Sequence, residues 1–416
     1  MRYLAYVELL KEGSIQMQRS IQKSSTRNSF PSMMLRAAGN DHNLRMKVLE
    51  FIDVLPSLKT DDEIYHRFMS MIGSNKDALP SLLRMGVFFF SRPYLRAVSV
   101  RILEWLIYHQ LAPYFIVGDE KKLIPLQKKY RKQRVTTNID FLGELVTSER
   151  EAEYFLQEYF DAMMRYGNKE TVFNISIKFS SLYPFFGPEN HAESMRRVSE
   201  SFAEILRVAQ RQNVSVTVDA EYYSFGRLIE DIFCEVIMRD EFREVRHVGI
   251  ALQAYRRDAY HVAARFIEVA RARKTPFNIR LVKGAYWDTE IAIAEQKDWR
   301  FPLFSEKAQT DSMFEVLFKM FLEEWGNIYV SPATHNPESI AYVQYHAGEK
   351  GVLSDENFTF QVLYGLGEPV RRALCMHNLP VMVYVPVGDI VKGMSYFTRR
   401  ILENTSNEGF LFKLLE

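Results

Sequence analysis

The sequence predicts an α/β protein: a (β/α)8 TIM-type barrel preceded by an N-terminal helical region. From about residue 136 onwards, eight short apolar and β-branched runs alternate with longer segments of helical periodicity. A strand followed by a helix, repeated along a chain, favours parallel strands, and eight such units are typical of the closed barrel. The length of 416 residues accommodates one large barrel and a smaller unit.

The chain before the barrel is divided into two predicted units. Residues 1–40 are rich in Ser, Gln, Lys and Arg and are interpreted as a weakly helical arm. Residues 41–135 are predicted to form a helical domain that ends in a basic linker. The linker prediction rests on residues 121–134, KKLIPLQKKYRKQR, which hold seven basic residues and no acidic one. A solvated segment is the favoured interpretation, and attraction to anionic lipid is the alternative.

The barrel is predicted to occupy residues 136–416. Amphipathic segments such as residues 148–167, 192–212 and 258–274 supply its helices. The predicted strands are NIDFLG, FNISIKF, VSVTVDA, VGIALQA, FNIRLVK, IYVSPA, FTFQVL and VMVYVP.

Composition and missing motifs exclude several classes of protein. A net charge of +1 gives no reason to expect a nucleic-acid partner, and no basic DNA-binding module precedes the barrel. The two cysteines form no CxxC motif and the histidines show no metal-binding spacing, so we expect no metal site. No signal peptide is recognisable, and the most apolar stretch, residues 102–117, is too short and polar to span a bilayer. These features favour a cytoplasmic protein.

Polar residues close nearly every predicted strand, and in this architecture chemistry takes place at the carboxyl ends of the strands. Each of them singly has an ordinary structural explanation, such as a helix cap or a satisfied buried histidine. Polar side chains at one rim are costly to bury unless they are paired, so together they predict a site. The residues are Glu144, Lys178, Asp219, Gln253, Arg280, Lys283, Thr334, His335, Asn336, Gln361 and Tyr384.

The densest rim segment is IRLVKGAYWD, residues 279–288. Gly284 allows a close backbone approach by a ligand. Tyr286 and Trp287 offer flat surfaces for an aromatic cofactor. No dinucleotide fingerprint, Walker loop or nucleophile elbow accompanies this segment.

A second notable segment is YFTRRILEN, residues 396–404. Tyr396, Arg399, Arg400 and Glu403 recur at i, i+3, i+4 and i+7, so they share one face of a helix. A solvated face with local ion pairs is one interpretation. A site for a small carboxylate is the other, because two guanidinium groups can grip one anion.

Taken together, these segments resemble the proline dehydrogenase family, in particular the catalytic domain of the bifunctional proline utilisation flavoenzymes. The resemblance covers residues from about 140 to 410, and the region before residue 120 resembles that family's arm and helical domain only loosely. The matching strings are ISIKFSSLYP, VTVDAE, GIALQAY, RLVKGAYWDTE, FSEKAQTD, ATHN, FQVLYGLGE, VYVPVGD and YFTRRILEN.

The resemblance implies a distorted (β/α)8 barrel that binds FAD non-covalently over its mouth. L-proline would transfer a hydride to the flavin and become 1-pyrroline-5-carboxylate, and the electrons would pass to a membrane quinone. A pyrroline-5-carboxylate dehydrogenase would act as a separate partner or as a fused domain. The sequence fits either a single-function enzyme or part of a longer polypeptide. Peripheral contact with the membrane is a further expectation.

The resemblance also implies roles for individual residues. Asp219 and Arg280 would be catalytic, with Asp219 holding Lys178 and Arg280 near the reactive flavin nitrogen. Glu144 would act as a gate that pairs with the two arginines. The substrate would be bound by Lys178, Tyr286, Tyr384, Tyr396, Arg399 and Arg400. FAD would be contacted by Ala220, Gln253, Arg280, Val282, Lys283, Gly284, Ala285, Trp287, Lys307, Thr334, His335, Asn336, Gln361 and Glu403.

Two positions bear on specificity and on alternatives. Relatives acting on hydroxyproline tend to have a smaller residue in place of Tyr384, so this tyrosine favours proline. Glu306 stands where relatives more often have a basic residue, and an acid there disfavours the cofactor phosphates. The alternatives are a barrel enzyme that forms a Schiff base on Lys178 or Lys283, and a non-catalytic assembly subunit.

Overall fold

The protein folds into a closed barrel of eight parallel strands in sequential order, β1 to β8. The structure, a computed structural model, describes residues 2–24, 47, 50–51, 54–73, 96–118, 120–142, 146–167 and 172–388. The predicted fold class is confirmed. The strands are β1 (Val135–Phe141), β2 (Phe173–Ile177), β3 (Val214–Val218), β4 (Val248–Gln253), β5 (Asn278–Val282), β6 (Tyr329–Ala333), β7 (Phe360–Leu363) and β8 (Val381–Val387).

Helices follow the strands and cover the outside of the barrel. The helices of the described residues are α1 (Arg2–Ser24), α2 (Asp61–Gly73), α3 (Arg96–Trp105), α4 (Glu120–Lys132), α5 (Glu149–Tyr166), α6 (His191–Gln212), α7 (Tyr223–Ile237), α8 (Ala259–Arg273), α9 (Trp287–Gln296), α10 (Lys307–Glu323), α11 (Pro337–Lys350) and α12 (Glu368–Met376).

The apolar runs became strands because their β-branched residues alternate with residues that face the barrel interior. In β8, the four valines 381, 383, 385 and 387 are buried. Between the strands and the helices lies a layer of aromatic side chains. Phe233 on α7 packs against Phe277 with ring centroids 5.4 Å apart and against Phe202 on α6 at 6.2 Å. Burial of this layer contributes favourable free energy to folding.

The arm is more ordered than the sequence suggested. Helix α1 runs for 23 residues and packs against α11 and α12 on the outside of the barrel. Met17 and Ile21 are buried in this contact, and Ser20 Oγ lies 3.0 Å from His377 Nε2. Tertiary packing of an apolar face therefore stabilises a helix whose sequence is only weakly helix-forming.

The basic segment 121–134 was predicted to be a linker, and this is wrong, because most of it forms helix α4. Leu123 and Tyr130 are buried, and Leu126 is partly buried on the same side. Their spacing of three and four residues makes an apolar stripe that docks the helix, while the lysines stay exposed. The count of basic charges hid that stripe.

The end of the helical region is attached to the barrel at the mouth. The Val117 backbone N–H donates to the carbonyl of Pro386 at 2.8 Å, and Gly388 N–H donates to the Val117 carbonyl at 3.2 Å. The segment therefore lies beside the carboxyl end of β8. Within the described residues, no helix has the length and apolar character needed to cross a membrane.

Candidate active site

A cluster of buried charges fills the carboxyl end of the barrel. Lys178 follows β2, and its ammonium donates a short hydrogen bond to Asp140, a carboxylate on β1. Asp219 follows β3 and lies 3.7 Å from the same ammonium through Oδ2. The Lys178 side chain is 16% exposed and that of Asp140 is 1% exposed, so this ion pair is largely screened from water.

Asp219 is occupied mainly by other partners. Its Oδ1 accepts a short hydrogen bond from Arg280 Nη1, and its Oδ2 accepts from the Tyr384 hydroxyl at 2.7 Å. The guanidinium carbon of Arg280 lies 5.0 Å from the centre of the Tyr384 ring. Asp219 was expected to hold Lys178, and it forms an ion pair with it, while that ammonium donates its hydrogen bond to Asp140.

Arg280, on β5, ties opposite sides of the barrel together. Its Nε donates to Gln361 Oε1 on β7 at 2.7 Å, and its Nη1 donates to Ser176 Oγ on β2 at 2.9 Å. The second terminal nitrogen, Nη2, is buried without a hydrogen-bond partner among the described residues. A buried donor of this kind is costly to leave unpaired, so it indicates an acceptor supplied by a ligand.

The electrostatics of this cluster keep Lys178 charged. Burial by itself would lower the pKa of the ammonium, but attraction to Asp140 and Asp219 outweighs burial and raises the pKa above its usual value. Lys178 and Arg280 face two carboxylates, so the charges balance inside a poorly solvated site.

A second charged cluster lies beyond β5. Lys283 donates a short hydrogen bond to Asp311 on α10 and a bond of 2.9 Å to Ser339 Oγ on α11. Lys307 donates to the other oxygen of Asp311 at 2.6 Å. Burial lowers the pKa of Lys283, and attraction to Asp311 only partly opposes this. Asp311 thus pairs with two lysines, and Glu315 adds a further attraction to Lys283. The two ammonium groups are suited to contact an anionic ligand.

The segment between these clusters is shaped by aromatic packing. Gly284 has φ +133°, and a Cβ there would come within 2.3 Å of the Tyr255 ring. Tyr255 thus requires a glycine at this position, and the close approach of a ligand to Gly284 remains a prediction. Tyr286 packs on Tyr222 with centroids 4.8 Å apart. Trp287 is 38% exposed, and its Nε1 donates to the Phe304 carbonyl at 2.8 Å.

The side chains of the Thr-His-Asn sequence after β6 form hydrogen bonds that stabilise the fold locally. Thr334 Oγ1 accepts from the Asn336 backbone at 3.1 Å, and Asn336 Oδ1 caps α11 by accepting from Glu338 N–H at 2.8 Å. His335 Nε2 accepts from the Leu363 N–H at 3.1 Å. That bond matters because β6 and β7 share only one register pair, Ala333 with Gln361.

The structure distributes the other predicted residues around the same rim. Gln253 ends β4, and its amide donates to the Glu221 carbonyl at 3.3 Å. Val282 ends β5 in register with Gln253, and Ala285 lies in the turn before α9. Ala220 follows Asp219. Glu144, Tyr396, Arg399, Arg400 and Glu403 lie outside the described residues.

Sequence reasoning missed the polar residues inside the strands. Asp140 and Asn138 on β1 and Ser176 on β2 are buried, and Ser176 Oγ donates to Asn138 Oδ1 at 2.7 Å. The signal was the alternation in NIDF, where polar residues 138 and 140 flank Ile139. The prediction was based on residues at the end of the strand, so it included Glu144 and omitted Asp140.

Two open surface cavities lie away from this cluster. One, of about 420 Å³, is lined in part by Tyr108, Lys129 and Tyr364, and the other, of about 380 Å³, lies between α1 and α11. No predicted site residue lines either cavity within the described part of the chain. The rim is therefore marked as the candidate site by its charges and hydrogen bonds.

Residues 124–413 match the family model of proline dehydrogenase. The chain belongs to the proline dehydrogenase family. The resemblance inferred from the sequence is thereby confirmed, and the matched region contains the whole barrel. Residues 13–103 match the proline utilization A N-terminal domain, so the helical region before the barrel also has counterparts in relatives of this family.

Relatives in the proline dehydrogenase family are similar over most of this chain. Proline dehydrogenase 1 of Bacillus subtilis is 30% identical over 300 residues, which is 72% of this chain and 88% of the relative. Bifunctional protein PutA of Klebsiella aerogenes is 26% identical over 316 residues, 73% of this chain and 24% of the relative. The chain thus aligns with about a quarter of the length of that bifunctional relative.

A solved structure of a family member agrees in fold. The crystal structure of proline utilization A from Bdellovibrio bacteriovorus, inactivated by N-propargylglycine, matches with a TM-score of 0.82 and 28% identity. The match covers 97% of this chain and 42% of that one.

The departure at Glu306 has a local explanation. Glu306 occupies the N-cap position of α10, and its backbone N–H donates to Gln309 Oε1 at 3.3 Å, as in a capping box. Its side chain is exposed. A helix-capping role accounts for an acid at this position without reference to the cofactor.

Proposed function

We propose that the protein catalyses the FAD-dependent oxidation of L-proline to 1-pyrroline-5-carboxylate at the barrel mouth. The observation that carries this proposal is the buried cluster of Lys178, Asp140, Asp219, Arg280 and Tyr384. It sets an ammonium held in its charged form beside a guanidinium with an unpaired donor. An amino-acid substrate needs a cation for its carboxylate, and a cofactor needs a hydrogen-bond donor, so the cluster serves both.

The residues on the far side of the mouth fit FAD. The unpartnered Arg280 Nη2 would donate to the isoalloxazine ring, and the amides of Gln253 and Gln361 would bind its edge. Lys283 and Lys307, the two ammonium groups around Asp311, would offset part of the diphosphate charge. FAD, when bound, supplies the hydride acceptor, and the protein supplies orientation and electrostatics.

The substrate side of the site would hold proline through its carboxylate. Lys178 stays protonated, so it offers a fixed positive charge. The sequence-based roles of Arg399 and Arg400 as a two-point clamp for the same carboxylate remain part of the proposal. Tyr384, fixed by its bond to Asp219, would pack on the ring and limit substituents there. Tyr286 and Tyr396 would complete the pocket, with Glu144 as its gate.

Arg280 would contribute to the reaction by its charge. A guanidinium beside the cofactor favours the anionic character of the reduced flavin. Its hydrogen bonds to Asp219, Gln361 and Ser176 fix its position before the substrate arrives, so little reorganisation is needed. The electrons would then pass to a quinone, with peripheral membrane contact and a pyrroline-5-carboxylate dehydrogenase as the proposed partners.

The experiment is an anaerobic titration of the FAD-reconstituted chain with L-proline, followed by flavin absorbance. Proline should bleach the flavin band, and the product should react as an imine with o-aminobenzaldehyde. D-proline is the control for correct binding of the carboxylate and ring. A flavin-loaded protein that L-proline does not bleach would exclude this function and leave the assembly-subunit alternative.

One observation favours the Schiff-base alternative, the lowered pKa of Lys283, but the hydrogen bonds of that ammonium oppose it. A Schiff-base lysine must be neutral when it attacks a carbonyl. Attraction to two carboxylates raises the pKa of Lys178, and Lys283 is engaged by Asp311 and Ser339. Borohydride trapping of a carbonyl substrate on either lysine would reverse this conclusion.

A further inference from the structure

Asp140 has no role among the residues singled out at the rim, yet it makes the closest contact to the substrate-side cation. It lies on β1, two residues after Asn138 and in register with Ser176 of β2. Its side chain is 1% exposed and accepts the short hydrogen bond from Lys178. A carboxylate is costly to bury at this depth unless it is paired.

The two carboxylates near Lys178, Asp140 and Asp219, have different hydrogen-bond partners. Both oxygens of Asp219 accept from other groups, Oδ1 from Arg280 and Oδ2 from Tyr384. Lys178 is 3.7 Å from Asp219 Oδ2, a distance that allows attraction but no hydrogen bond. Asp140 is therefore the group that fixes where the ammonium lies, and Asp219 is left to orient Arg280 and Tyr384.

We propose that Asp140 is a positioning residue for substrate binding: it anchors Lys178 so that the ammonium faces the substrate carboxylate rather than pairing with Asp219. The inference rests on the proposed function. Without Asp140, the nearest carboxylate is Asp219, and Lys178 would move toward it. Lys178 would then compete with Tyr384 and Arg280 for the two oxygens of Asp219. Proline binding would weaken, and Tyr384 and Arg280 would be held less firmly.

Charge and geometry make opposite predictions for the variant Asp140→Asn. Removing one negative charge leaves the site more positive, which by itself would tighten proline binding. The amide oxygen of Asn can still accept from Lys178, but a charge-assisted hydrogen bond is replaced by a weaker one, so Lys178 is held less firmly and binding weakens. Hydrogen bonds between charged groups are about twice as strong as those to a neutral acceptor, so the weaker anchor should dominate.

The other groups facing Lys178 limit how its charge responds to pH. Asp140 and Asp219 both favour the protonated form, and the Tyr159 hydroxyl accepts from the Lys178 backbone N–H at 3.3 Å. In Asp140→Asn the pKa of Lys178 should fall, because burial would then be opposed mainly by Asp219. The groups that face Lys178 from neighbouring elements are Asp140, Asp219, Tyr159 and Glu221.

The test uses steady-state kinetics of the full FAD-loaded chain with L-proline. Asp140→Asn should raise KM by about 10-fold or more, with a smaller change in kcat. The rise should grow toward alkaline pH, whereas wild-type KM should show no such rise. Kinetics with L-prolinamide, which lacks the carboxylate, should be changed much less. Asp140→Glu, which keeps the charge, should restore part of the proline KM.

Two controls separate this inference from folding defects and from the proposed function. Glu230, on α7, is another buried carboxylate, and it pairs with Arg256 at 2.7 Å. Glu230→Gln removes its charge and should leave the proline KM unchanged. Flavin content and thermal unfolding are measured for each variant. If the wild type is bleached by proline but Asp140→Asn keeps the wild-type KM, or a lower one, the role of Asp140 is wrong while the function stands. If the wild type itself is not bleached, the function fails first.

Discussion

Two lysines stand at the barrel mouth in different electrostatic surroundings. Lys178 faces Asp140 and Asp219, and attraction to these carboxylates raises its pKa despite burial. Lys283 shares Asp311 with Lys307, and burial lowers its pKa. The balance between burial and attraction to carboxylates thus sets the direction in which the pKa of a buried lysine shifts. One side is suited to hold a substrate carboxylate, and the other presents two ammonium groups to a cofactor.

The largest expected effect comes from Arg280, which joins the two sides. Arg280→Met would leave Asp219, Gln361 and Ser176 without their buried partner. Loss of one member of a buried ion pair costs about 3 kcal/mol or more of unfolding free energy. We also expect flavin reduction by proline to slow by about 100-fold. Urea unfolding and stopped-flow absorbance measure the two effects, and normal reduction would remove Arg280 from the reaction.

A smaller effect should separate the two lysines. Lys178→Met should raise the proline KM by about 10- to 100-fold and leave FAD affinity close to wild type. Lys283→Met should weaken FAD binding by about 10-fold and leave the proline KM of the loaded enzyme unchanged. Proline kinetics and FAD titration of the apoprotein measure both. If each variant changed both quantities alike, the assignment of the two sides would be wrong.

The pH dependence of stability should also distinguish the lysines. The pKa of Lys283 is lower in the folded chain, so between the two pKa values the unfolded chain binds more protons. The unfolding free energy of the wild type should therefore rise relative to that of Lys283→Met as pH rises toward about 10.4. The folded pKa of Lys178 is raised, so its contribution is present throughout this range and the comparison with Lys178→Met should be flat up to about pH 10. Urea unfolding of the three proteins across this range measures the slopes. The opposite order of slopes would contradict the electrostatic comparison.

The smallest expected effect concerns Glu306. If it acts as a helix cap, Glu306→Ala should lower the unfolding free energy by about 0.5 to 1 kcal/mol and leave FAD affinity unchanged. Gln309→Ala, which removes the other half of the capping box, is the matched control. Tighter FAD binding in Glu306→Ala alone would instead show that the acid repels the cofactor.

The sequence was sufficient for the barrel because each strand has a β-branched core and each helix an apolar stripe. All eight predicted strands lie within three residues of the observed ones. It failed at residues 121–134, where high charge concealed the stripe of Leu123, Leu126 and Tyr130. The apolar stripe on the buried face of a helix determines how the helix packs, whereas overall composition counts the buried and exposed faces together.

The site was partly predictable for a similar reason. Strand ends identified Lys178, Asp219, Arg280 and Gln361, which the structure brings into one network. The alternation in NIDF places Asp140 on the interior face, but its importance comes from the contact with Lys178, which follows the neighbouring strand β2. The requirement that Tyr255, 29 positions earlier in the chain, places on Gly284 could not be read from the sequence.

Oxidation of proline through FAD at the charged mouth of this barrel can be measured in one experiment. L-proline is added to the FAD-loaded chain under anaerobic conditions and the flavin spectrum is recorded. We predict full bleaching, with one imine product formed for each flavin reduced. A flavin band that L-proline leaves unchanged would exclude this function.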